Sequence, residues 1–124
     1  MNKVKSFRDL KVWQDAHAFT VTVYKLTATF PENERFGLTS QLRRSASSIG
    51  ANIAEGFGRY HYKEKIKFYF NARGSAIESQ NHALLAKDLG YLSEERTEKL
   101  LEDTNEILRE LNGLIKATGK NPND

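Results

Sequence analysis

The chain of 124 residues contains no cysteine. That excludes a disulfide framework, a thiolate zinc site, an iron–sulfur cluster and a cysteine nucleophile, and it fits a reducing cytoplasm. Proline is nearly absent too, and Pro31 and Pro122 both fall outside the long periodic segments. That spacing favours long helices over many-turned β architectures. No apolar run reaches the ~18 residues a membrane-spanning helix needs. The basic stretch from Met1 to Lys11 lacks the apolar centre of a secretory signal. Neither sign of charge dominates, because the net charge is only +3 with histidine neutral. Any electrostatic role must therefore come from local distribution.

Catalytic patterns are missing as well. His17, His61 and His82 share no ligand spacing, and Glu78 and His82 stand four apart with no second copy. A ferritin-like carboxylate site needs Glu-x-x-His pairs on facing helices. There is no Gly-x-Ser-x-Gly elbow and no Gly-x-x-x-x-Gly-Lys phosphate loop. Some helical ribonucleases place a histidine four to six residues after an arginine; here eight residues separate Arg73 from His82. The sequence thus points to no catalytic residue, no metal and no cofactor, and to a protein that is not an enzyme.

What is present is helical periodicity. Val12, Ala16, Phe19, Val23, Leu26 and Phe30 recur at spacings of three and four, with Asp9 as a plausible N-cap. Leu38, Leu42, Ser45, Ile49 and Ile53 form a second stripe, ended by Gly56-Phe57-Gly58 read as a glycine C-cap. Gly50 lies inside that segment, where it weakens the helix but admits a close neighbour. In the third segment Ile66, Phe70, Arg73, Ile77, Leu84 and Asp88 lie near one face, and Gly90 ends it. Ser93 caps a fourth, whose Leu100, Leu101, Thr104, Ile107, Leu108, Leu111, Leu114 and Ile115 follow a heptad-like repeat. The expected fold class is all-α, an antiparallel up-down-up-down four-helix bundle in a single domain. Its helices are expected at about 9–30, 37–57, 61–89 and 93–118, with a frayed tail over 119–124.

Charge is distributed unevenly along this scaffold. From Arg35 to Lys67 there are seven cations against two carboxylates, a net of +5, whereas Ser93 to Lys116 carries a net of −3. Phosphate binding needs several cations on one side. Arg43, Arg44, Arg59, Lys63, Lys65 and Lys67 are the candidate phosphate contacts, and Tyr60 and Tyr62 are candidate stacking platforms for unpaired bases. Arg59, Lys63 and Lys67 share a face if the third helix begins early enough. The competing reading is a solvated helix start that balances an acidic neighbour. Arg43 or Arg44 could instead pair with Glu55 or Glu78. Asn52, Arg73 and Asp88 read better as an internal polar network that fixes helix register. Aromatics gather near the helix ends (Phe7, Trp13, Phe36, Phe57, Tyr60, Tyr69 and Tyr91), which suggests self-association, or else caps on the two ends of the bundle.

Five strings then come into register: Phe7 to Trp13, Phe36 to Arg44, Asn52 to Gly56, Ala72 to Ser75, and Leu89 to Leu92. Together, over about residues 6 to 118, they resemble the bacterial four-helix bundle family named for proteins encoded in intervening sequences of 23S ribosomal RNA genes. The accessory variability determinant of diversity-generating retroelements is similar. The resemblance implies a homopentameric ring, nucleic-acid binding (RNA or DNA) through a basic surface, no established enzymatic activity, and partnership with a reverse transcriptase for the retroelement relatives. One departure is Gly50, where many relatives carry proline, so a straighter helix is expected. The function expected is a non-enzymatic, oligomeric nucleic-acid-binding or ribonucleoprotein accessory role, with RNA the favoured target. The alternative is a protein-interaction scaffold that binds no nucleic acid.

Overall fold

A computed structural model describes residues 4–120. Four helices dominate: α1 (Lys11–Thr27), α2 (Leu38–Gly58), α3 (Tyr62–Asp88) and α4 (Glu94–Gly119). No strand occurs among the described residues. Each helix packs on its neighbours in sequence, and α1 closes the ring of contacts against α4, so α1 and α3 lie on a diagonal. This is the antiparallel up-down-up-down bundle that short connections dictate. Of the expected tail, Gly119 is the last residue of α4, and residues 121–124 lie outside the described residues.

Three helix ends differ from the sequence reading. Asp9 is not the N-cap of α1. It closes a separate 3-10 turn, Phe7–Asp9, in which the Ser6 hydroxyl accepts from the Arg8 N–H and the Asp9 carboxylate accepts from the Lys5 and Ser6 N–H groups at 2.9 and 3.0 Å. That reciprocal pairing consumes the carboxylate, and α1 starts after Leu10 with no side-chain cap. Helix α1 also stops at Thr27, and Phe30 folds back to pack its ring 5.4 Å from that of Tyr91. Nor does Gly56-Phe57-Gly58 form a left-handed cap: α2 continues to Gly58 without a positive φ. Gly56 is there for space, because a Cβ on it would stand 2.7 Å from Tyr69 Cε1 on α3. The left-handed cap is at Gly90, with φ of +83°. Its N–H donates to the Lys87 carbonyl and that of Tyr91 to the Ala86 carbonyl, the paired bonds of a Schellman turn.

The core follows the expected stripes of α1, α2 and α4. Val12, Ala16, Phe19 and Val23 meet Leu38, Leu42, Ile49 and Ile53, with Leu100, Ile107 and Leu111 opposite. Helix α3 is the exception. Its buried face is made of Tyr69, Ala72, Ala76, Ser79, Ala83 and Ala86, which lets α2 approach closely. The stripe read from the sequence as core faces water: Phe70, Ile77 and Leu84 are 53, 46 and 39% exposed. The expected polar network fails for the same reason. Arg73 donates from Nε to the Asn112 side chain at 2.8 Å on the surface, and Asp88 is exposed. Only Asn52 joins an internal set, donating to the Ser48 carbonyl and hydroxyl. That set is a hydroxyl ladder across α2 and α3, with Ser75 to Ser48 at 3.0 Å and Ser79 to Ser45 at 2.9 Å. Small donors fit where the backbones are close, and each is satisfied without a charge.

Candidate nucleic-acid interface

The basic residues singled out from the sequence divide between the two ends of α2. Arg44 and Arg59 are fifteen positions apart, about 22 Å at the helical rise. They therefore form two sites rather than one patch.

At the α2–α3 connection, Arg59 is the C-cap of α2 in extended backbone and not part of α3. It cannot share the α3 face with Lys63 and Lys67. Its guanidinium lies 4.6 Å from the Phe68 ring centre and approaches Glu55 at 3.4 Å and Glu64 at 3.9 Å. Lys65 turns inward: its ammonium donates to the Phe57 carbonyl at 2.7 Å and lies 5.5 Å from the Phe57 ring centre. It satisfies a carbonyl that α2 leaves open at its C-terminus, and burial holds its pKa below the usual lysine value. Both cations are therefore committed within the chain. Lys63 and Lys67 are exposed on the outer face of α3, with no carboxylate partner among the described residues. Tyr60 is 87% exposed, edge-on to His61 at 5.0 Å. Tyr62 is half-buried at the first position of α3.

The opposite end has more built structure. A cleft of about 360 Å³ opens where α1 ends and α2 begins, walled by Arg35, Arg43 and Arg44 with Tyr24, Phe36 and the hydroxyls of Thr39, Ser40 and Ser47. Arg43 is fixed in place. Its Nε donates to Thr27 Oγ1 at 2.7 Å, its Nη2 donates to the Tyr24 carbonyl at 3.3 Å, and its plane lies 4.6 Å from the Tyr24 ring centre. Those two bonds use two of the five N–H donors of a guanidinium, which leaves three for a ligand. Arg43 and Arg44 form no ion pair with Glu55 or Glu78, which pair with Arg59 and His82 instead. Among the described residues Arg44 has no carboxylate partner. Arg35 reaches Glu32 only at 3.7 Å across solvent and lies 5.2 Å from the ring centre of Phe36, which is 88% exposed. The one nearby carboxylate held firmly is Glu34, which accepts from the Leu38 N–H and the Tyr91 hydroxyl and so faces away from the cleft chemistry. Arg35 and Phe36 were not singled out for binding from the sequence. The signal available was an arginine and an aromatic side by side in a connection.

The acidic side lies elsewhere. Between α1 and α4, Lys11 bridges Asp15 at 2.7 Å and Glu110 at 2.8 Å, and Lys99 pairs with Asp103 at 2.8 Å, so that surface is electrically closed. Among the described residues there is no group of three or more histidines or carboxylates that could hold a metal ion. No described helix is long and apolar enough to cross a membrane.

Comparison with known proteins places this architecture. The sequence profile described as 23S rRNA-intervening sequence protein matches residues 8–113. A 1.70 Å crystal structure of a protein of unknown function from the S23 ribosomal protein family of Bacteroides thetaiotaomicron VPI-5482 superimposes with a TM-score of 0.78. The two are 27% identical over 85% of this chain and 95% of that one. No curated protein matches the chain.

Proposed function

Because the chain belongs to the 23S rRNA-intervening sequence protein family, we propose that it binds nucleic acid, RNA in preference to DNA, as a non-enzymatic cytoplasmic accessory protein. The observation that carries this reading is a set of cations with no carboxylate partner beside solvent-open rings: Arg43 and Arg44 with Phe36 at one end, Lys63 and Lys67 with Tyr60 at the other. Cations without a carboxylate partner are free to neutralise phosphates, and each neutralised phosphate releases counterions. Arg59 and Lys65 contribute less, because both are engaged within the chain. Fluorescence anisotropy across a salt series tests the proposal. Parent protein should bind structured RNA with an affinity that falls linearly in log–log form, and Arg44→Glu with Lys63→Glu and Lys67→Glu should cost at least about ten-fold. Unaltered affinity in that triple variant overturns the assignment.

The reading includes self-assembly into a homopentameric ring. Its support is the outer face of α3, where Phe70, Gly74, Ile77, Asn81, Leu84 and Asp88 are all exposed at alternating spacings of four and three. That is the repeat of a helix that packs against another helix, left without a partner within the chain. Light scattering should return a mass five times 14.1 kDa; a monomer would refute it. The same seam favours a second reading, a scaffold for another protein such as a reverse transcriptase. Recovery of one partner protein after nuclease treatment, with no RNA affinity, would select it.

A further inference from the structure

A second depression lies between α1 and α2. Its volume is about 430 Å³, and its walls carry Trp13, His17 and Tyr24 on one side and Gly50, Ala51 and Ala54 on the other. It shares Tyr24 and Ser47 with the arginine cleft, so the two form one continuous groove along the bundle. Among the described residues, no aspartate or glutamate lines either part. The depression between α1 and α4 differs, because both lysines that line it, Lys11 and Lys99, are matched by carboxylates.

The rings in this groove are supported from below and open above. His17 is exposed and stacks on Trp13 with centroids 4.8 Å apart and planes 17° from parallel. Trp13 is braced edge-on by Phe7 at 5.1 Å. Its indole lies against α2 at Gly50, where a Cβ would stand 3.4 Å from Trp13 Nε1, an ordinary contact distance. Tyr24 is 46% exposed and carries the Arg43 guanidinium on one face. His17 and Tyr24 are seven residues apart on α1, so they share a face about 10 Å from one another. The surface between them is made of small uncharged residues, Thr20, Ser47, Gly50, Ala51 and Ala54.

Such an arrangement offers two flat platforms beside three arginines. Bases in a duplex are already paired and stacked on each other, so only unpaired bases can use the platforms. We propose that the α1–α2 groove is a path for single-stranded nucleic acid, with bases stacked on His17 and Tyr24 and the backbone held by Arg35, Arg43 and Arg44. This rests on the nucleic-acid reading above and narrows it to unpaired strands on one face. Helix α1, which carries both platforms, has no backbone contact with α3, whereas α2 borders both the groove and α3.

Trp13 is the only tryptophan in the chain, so its fluorescence reports on the groove directly. The test titrates the full chain with an oligoadenylate of about ten nucleotides and with a duplex of equal length. The single strand should quench Trp13, and the duplex should not. His17→Ala with Tyr24→Ala should weaken the single strand about ten-fold or more and leave duplex affinity unchanged. Ala51→Glu, an exposed helical position that folds with either residue, should do the same by setting a carboxylate on the floor. Arg44→Glu should weaken both ligands. If single-strand affinity survives both groove variants, or falls only in step with duplex affinity, the groove is not the path, while the broader nucleic-acid reading stands. If neither ligand binds the parent at low salt, both readings fall.

Discussion

Gly56 offers the sharpest test of the packing described for α2 and α3. In Gly56→Ala the new methyl would stand 2.7 Å from Tyr69 Cε1, and 3.0 Å from both Tyr69 Cδ1 and Phe68 Cβ. Tyr69 is only 2% exposed, so its ring has no solvent to swing into. Overpacking of this kind costs about 1–3 kcal/mol. Working the other way, alanine is the better helix former by about 0.5–1 kcal/mol, and the last turn of a helix realises the lower part of that gain. The net expectation is a loss of about 0.5–2.5 kcal/mol. At about 4 °C per kcal/mol for a chain of this length, the midpoint should fall by about 2–10 °C. Gly113→Ala is the matched control, since nothing lies within 4 Å of the added carbon on α4; it should raise the midpoint by about 2–4 °C. Thermal melts followed by far-UV circular dichroism, at fixed protein concentration because assembly would shift the midpoint, measure both. A Gly56→Ala protein as stable as the parent would show that α3 can retreat from α2, and the close-approach argument would fail.

Three further expectations follow from the same geometry. Ile77→Glu with Leu84→Glu should abolish self-association, read by light scattering, while helix content is retained; an unchanged mass would remove α3 as the seam. Gly90→Ala should cost about 1–2 kcal/mol by urea denaturation, because alanine must adopt the positive φ that the Schellman turn requires; a neutral result would mean that the α3–α4 connection rearranges cheaply. Burial pushes the Glu110 carboxyl above its ordinary 4.5, Lys11 pulls it back, and Asp15 adds to the rise. The folded state then binds that proton more tightly than the unfolded state, so stability should fall as pH climbs from 4.5 through the raised value, and level off above it. Glu110→Gln should flatten that segment of the stability–pH curve; parallel curves for parent and variant would contradict the shift.

The sequence was most legible where a helix has one apolar face built from large residues. Val12, Phe19 and Val23 on α1, Leu42, Ile49 and Ile53 on α2, and Leu100, Ile107 and Leu111 on α4 are all core as their spacing indicates. It misled on α3, where both faces are apolar. Periodicity weighs Phe70, Ile77 and Leu84 above Ala72, Ala76 and Ala83, yet the small residues are inside, on a buried face where Tyr69 and His82 are the large side chains. Arg73 and Asp88 were carried to the wrong face with that stripe. The candidate site was legible as charge but not as geometry. Lys63 and Lys65 are the same residue type two positions apart, yet one faces water and the other closes the end of α2. The meeting of Tyr24 with Arg43 joins two helices across nineteen residues, and no local pattern encodes it.

The double-sided character of α3 also bears on the order in which the bundle can form. Helices α2 and α3 share the most extensive contact and are joined by the short connection 59–61, so their pairing closes the least chain. The bond between Lys11 and Glu110, by contrast, spans nearly the whole polypeptide. A ribosome delivers α1, α2 and α3 well before α4 is complete. During that interval the nascent chain displays the part of α3 that α4 will cover, together with the part that none of the described residues covers. On the seam proposed above, newly made chains are then at their stickiest, and on a polysome, where several copies emerge side by side, association through α3 would begin before any one bundle has closed.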